Sequence, residues 1–160
     1  MDIQEVKDMT LETLRAATKN NEAFMPVVFF DGPQPAVVGC PFSDESKVPV
    51  FRKVGAMARQ MHACEIYIVT DSYIRILDPK DAAWVVENWE IERPSMYPEK
   101  LRKDCLVITK IVPGDPKEEK IISIVYDKKD GEIILGEEMT VDAVDGLIKE
   151  SLLEGYNQCS

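Results

Sequence analysis

The chain has 160 residues, of which 45% are hydrophobic and 30% charged. That is enough apolar material for one core, too little length for two comfortable domains, and too much charge for a membrane bundle or a low-complexity tail. The balance of 29 acidic against 19 basic side chains leaves a net charge of −10, whose field repels polyanions and disfavours a general nucleic-acid binder or an anionic membrane surface.

The spacing of Ile3, Val6, Thr10, Leu14 and Ala17 predicts a helix from Asp2 to Ala17, with Asn20 and Asn21 as stop residues. Met25 to Phe30 is a continuous apolar run, Asp31 to Pro35 a turn, and Ala36 to Gly39 a second short strand. Ser46 is placed to cap a helix reaching about Ala63, with Pro49 in its first turn and Val48, Phe51, Val54, Ala58 and Met61 inward.

Glu65 to Leu77 carries the strongest strand signal. Both of its faces are largely apolar, as expected of a central strand covered on two sides. Asp71 and Ser72 interrupt it, and a turn or bulge is the leading reading of that interruption. A helix is expected from Asp78-Pro79 to just before Pro94, followed mostly by loop to Asp104. Leu106 to Val112 and Ile121 to Tyr126 read as strands, Asp127 to Gly131 as a hairpin loop, and Glu132 to Leu135 as the return strand. Thr140 is then placed to cap a last helix to about Leu153, with Val141, Val144, Leu147, Ile148 and Leu152 inward.

These elements predict a single α+β domain over residues 1–160. The sheet is expected to be mixed or mostly antiparallel, of about six strands: an N-terminal hairpin, a long central strand and a C-terminal three-strand meander. About four helices pack against it.

Residues able to do chemistry are sparse. His62 is the single histidine, expected at the core boundary near the negative end of a helix, with Cys64 two residues on. As a general base or metal ligand it would need partners, and one histidine and one cysteine are too few for zinc. Cys40, Cys64, Cys105 and Cys159 form no C-x-x-C pair, and no glycine pattern makes a phosphate loop. Carboxylate pairs such as Asp44-Glu45, Glu118-Glu119 and Glu137-Glu138 match no calcium loop and read as a solvated face. No metal and no cofactor is expected.

Asp71, Ser72 and Tyr73 remain candidates for ligand contact, because polar groups in an apolar strand break the local rule. Trp84 and Trp89 are candidate binding residues, since five positions on a helix separate them by about 140° and leave one partly exposed. Lys100 to Lys103 is a small basic island read as ordinary snorkelling side chains. The acidic, polar N-terminus lacks a signal-peptide pattern, so the expected location is the cytoplasm, with reduced thiols.

Met61-His62-Ala63-Cys64, then Ile66 to Tyr73, then Leu101-Arg102-Lys103-Asp104-Cys105-Leu106-Val107-Ile108 form a pattern over about half the chain. In it the chain resembles small uncharacterised α+β proteins of bacteriophage genomes and environmental sequence collections. The resemblance implies a phage origin and carries over no activity and no site residue.

The leading functional expectation is a non-enzymatic accessory or protein-interaction domain with a protein partner or a homo-oligomeric state. The alternatives are a small hydrolase using His62 or clustered carboxylates with a metal, and a small-ligand sensor.

Overall fold

A computed structural model of the chain, describing residues 1–75 and 102–158, is an α+β fold in three layers. Its strands are β1 (Val27–Asp31), β2 (Ala36–Gly39), β3 (Glu65–Arg75), β4 (Arg102–Ile111), β5 (Lys120–Lys129) and β6 (Glu132–Val141). They form one sheet in the order β2-β1-β3-β4-β5-β6, antiparallel at every step. The sheet is thus of the mostly antiparallel, six-stranded kind expected. Three α-helices stand among the described residues: α1 (Ile3–Lys19), α2 (Lys47–Gln60) and α3 (Leu147–Gln158). The helix expected from Asp78, with Trp84 and Trp89, lies outside the described residues, as do Lys100 and Leu101.

The two sheet faces bury different cores. One face packs Val28, Phe30, Ile66, Ile68 and Ile111 against Phe51, Val54 and Ala58 of α2 and Leu152 of α3. The other packs Phe29, Tyr67, Val69, Leu106, Ile108, Ile122 and Ile124 against Val6, Leu11 and Leu14 of α1. Neighbours along β3 therefore serve opposite cores, which is why both parities of that strand are apolar. Each fully buried aliphatic or aromatic side chain contributes about 1.5–3 kcal/mol.

Local chemistry sets the helix ends. Asp2 and Glu5 form a reciprocal cap on α1: the Asp2 carboxylate accepts from the Glu5 amide at 2.9 Å and Glu5 accepts from the Asp2 amide at 3.2 Å. Asn21 closes the same helix in the left-handed region at φ 55, its amide donating to Thr18 and that of Glu22 to Ala17. Ser46 does not cap α2 through its side chain; its hydroxyl instead accepts from the Ser43 amide at 2.8 Å.

The contact between α2 and α3 runs through glycine. A Cβ on Gly55 would stand 1.9 Å from the Leu152 carbonyl oxygen, and one on Gly155 would stand 1.9 Å from that of Arg52. Two helix backbones this close exclude any side chain at either position. Arg52 with Glu154 at 3.0 Å, and the Arg59 guanidinium 5.2 Å from the Tyr156 ring centre, flank the crossing. A buried ion pair then pins α3 to the β4–β5 connection. Glu119, only 2% exposed, receives Lys149 Nζ at 2.5 Å on one oxygen and the Val112 amide at 3.1 Å on the other.

The C-terminal third departs most from its sequence pattern. β6 runs to Val141, six residues past the expected Leu135, and Thr140 pairs with Ile122 rather than capping a helix. α3 starts only at Leu147, so Val141 and Leu147 are exposed, at 53% and 51%, instead of inward. The β5 ladder supplies hydrogen bonds to residues 138–141 that a helix start would forgo. The β5–β6 connection is tighter than expected: Asp130 and Gly131, at φ 53 and 76, form a two-residue turn between paired Lys129 and Glu132.

Candidate functional site

Asp71 and Ser72 form neither a turn nor a bulge. They sit in unbroken register, Asp71 opposite Leu106 and Ser72 opposite Cys105, with Tyr73 opposite Asp104. The ladder survives because the fold supplies a distant partner: the Tyr126 hydroxyl, two strands away on β5, donates to Asp71 Oδ1 at 2.6 Å. Burial pushes the Asp71 carboxyl above its ordinary value. The Tyr126 hydrogen bond opposes that rise, Asp104 adds to it, and Lys128 counters it. On the opposite sheet face, burial also pushes the Cys105 thiol up, against a hydrogen bond with Ser123. Together these groups hold a half-buried carboxylate and an inert thiol inside the sheet.

His62 belongs to a different end of the molecule. α2 stops at Gln60, so the helical periodicity that would carry His62 into the core does not reach it. The residue is exposed, at φ 54. Its amide donates to Arg59 and that of Ala63 to Ala58, the paired bonds of a left-handed helix stop. Gly32 presses on this stop, since a Cβ there would meet the His62 carbonyl at 2.8 Å. The Cys64 thiol points at that same carbonyl, 3.9 Å away. Asp71 lies six residues up β3 from Glu65, a rise of about 20 Å, so His62 and Asp71 do not form one constellation.

Two cavities are large enough for a small ligand. An open groove of about 470 Å³ is lined by Arg59, His62, Ala63, Cys64, Val112, Pro113 and Tyr156, and no carboxylate lines it to orient the histidine. A second, of about 250 Å³, lies between the starts of α2 and α3, with Lys47, Thr70, Thr109, Asp145 and Lys149 around Ile68, Ile121 and Ile148. Its Lys149 is already engaged by Glu119 and by the Val144 carbonyl at 3.2 Å. Among the described residues no three His, Cys, Asp or Glu side chains come close enough to hold a metal ion. Among the same residues no helix is long and apolar enough to cross a membrane.

The surface feature that sequence reasoning missed is the β6 margin. Among the described residues β6 is the last strand of the sheet, and it runs for ten residues. Ile134, Leu135, Met139 and Val141 on it are 50, 41, 41 and 53% exposed, with Leu147 close by in sequence. An irregularity gives this row its form. Tyr126 pairs with Leu135 but Ile124 with Glu138, so β6 carries one extra residue at Gly136-Glu137 opposite Val125. That extra residue brings Ile134, Met139 and Val141 onto one side of the strand, opposite Asp127, Ser123 and Ile121 of β5. Leu135 and Glu138 lie on the other side, where Glu138 pairs with Lys7 of α1 at 2.8 Å. The signal in the sequence was Gly136 between an apolar run and Glu137-Glu138, which reads as a strand stop when it is a bulge.

No protein-family model matches the chain, and no curated protein or solved structure is significantly similar to it. Its description therefore rests on its own geometry: a three-layer α+β sheet protein with an open, partly apolar margin.

Proposed function

We propose that the chain is a protein-interaction domain that acts by docking rather than catalysis, and that β6 is its docking surface. The observation that carries this reading is the exposed apolar row on a ten-residue edge strand. Natural sheets blunt such edges by shortening them, charging them or covering them, because an open ladder recruits another strand. The opposite edge obeys that rule: β2 has only four residues, with Pro35 just before it and Pro41 two residues past its end. β6 carries one bulge and three carboxylates, yet it is long and apolar on one side, which fits strand addition by a partner.

The test is amide hydrogen exchange of β6 in the presence of a candidate partner, with Met139→Lys/Val141→Lys as the comparison. Partner-dependent protection of residues 132–141 that the double variant loses supports the reading. Binding that leaves β6 exchange unchanged would rule it out.

A further inference from the structure

We infer that the occupant of the β6 margin is an extended, basic, β-prone segment of a different protein, and not a second copy of this chain. This rests on the reading of β6 as the docking surface, and it adds the chemistry of what docks.

Charge is the discriminating observation. From Asp130 to Asp145 the chain carries six acidic side chains and no basic one. All six, Asp130, Glu132, Glu137, Glu138, Asp142 and Asp145, are exposed. This one stretch therefore holds charge equal to six of the net ten negatives. Whatever lies alongside β6 sits about 4.8 Å from it, well inside the screening length of about 8 Å at physiological salt.

A second copy pairing edge to edge, in either direction, would set one acidic stretch alongside another, within the screening length. Like charges directly opposite across a ladder destabilise it. A strand alternating Lys or Arg with Val or Ile meets both features of the margin. Its apolar side covers Ile134, Met139 and Val141, and its cations, on the other side, approach Glu138 and, just past the strand end, Asp142. The bulge at Gly136-Glu137 divides the edge into two pairing stretches, 132–135 and 138–141. The segment recognised is thus short, with its backbone bonds on one or both sides of that break.

The experiment uses the full chain and labelled ten-residue peptides read by fluorescence anisotropy: alternating Lys-Val, Thr-Val and Glu-Val, and the Lys-Val peptide N-methylated at alternate amides. Hydrogen exchange of β6 and light scattering of the free protein accompany it. The Lys-Val peptide is expected to bind at least about tenfold tighter than Thr-Val, the equivalent of about 1.4 kcal/mol, while Glu-Val does not bind. Glu138→Lys/Asp142→Lys, checked for fold by circular dichroism, should remove that advantage, and N-methylation should abolish binding by blocking the ladder.

Equal binding of all three peptides with β6 protected would overturn the charge inference and leave the docking reading intact. A dimer that Met139→Lys disrupts would do the same, by making the chain its own occupant. Binding of Lys-Val that survives N-methylation and leaves β6 unprotected would be mere charge attraction and would overturn both. So would the absence of any peptide binding and of any dimer.

Discussion

Under α2 and α3, Gly55 and Gly155 leave no space for a single methyl group. Along β6, Ile134, Met139 and Val141 stand about half exposed. The first region is a contact between backbones that must be satisfied from both sides for the sheet face to be covered. Among the described residues the second has only β5 as its ladder neighbour. A substitution in the centre must move a helix, while a substitution at the margin only changes what solvent or a partner meets. The comparison teaches where this fold keeps its stability and where it can present a changeable surface without losing it.

The sharpest way to break the comparison is to overfill the centre. Gly55→Ala or Gly155→Ala should each cost about 3 kcal/mol or more, at the upper end of overpacking effects. Urea denaturation reads this directly; a loss under about 1 kcal/mol would mean that the helices part easily. Next in size is Glu119→Ala, which leaves Lys149 and the Val112 amide without their buried acceptor. Removing one partner of a buried pair costs about 3–5 kcal/mol when the other stays buried. Lys149 is 20% exposed, so the lower end, about 3 kcal/mol, is expected.

Tyr126→Phe probes the zone between centre and margin. It removes the hydroxyl that Asp71 accepts from, at a cost of about 1.5–3 kcal/mol for a hydrogen bond to a charged group. Asp71→Asn keeps an acceptor and removes the charge. Because burial raises the Asp71 carboxyl in the fold, the folded chain holds that proton more tightly than the unfolded one. Its contribution is fully present below the ordinary carboxylate value and is lost as pH rises through the raised one. The Asn variant should therefore gain on the native protein between pH 4 and pH 7. Denaturation at those two values measures it, and an unchanged difference would mean that the charge of Asp71 does not couple to folding.

The smallest stability effect belongs to the margin. Met139→Lys and Val141→Lys should each fall within about 0.5 kcal/mol of the native protein, yet together remove binding of a basic strand. A large loss of stability from either would show that the β6 row is part of the core after all.

The contrast between centre and margin also marks how far the sequence could be read. Strand positions were legible because alternation and turn residues are local: Asp130-Gly131 announces a hairpin wherever it stands. The end of α1 was legible for the same reason, in Asn21. What misled was equally local. Thr140, Val141, Val144 and Ile148 have helical spacing, but β5 offers residues 138–141 a ladder, and pairing wins. Asp71-Ser72 has turn chemistry, but Tyr126, 55 residues away, accommodates the carboxylate within the strand. His62 has the spacing of a core residue, but the helix ends before it.

By itself, then, the sequence determined the α+β class, most strand positions and the net negative charge, because each follows from residue type and near-neighbour spacing. Only the tertiary structure decided that two glycines 100 positions apart lie at one helix crossing, that Glu119 meets Lys149, and that a bulge turns three apolar side chains to one side of an open edge. Those are juxtapositions across long stretches of chain. They exist only once the packing of both sheet faces has closed the intervening loops.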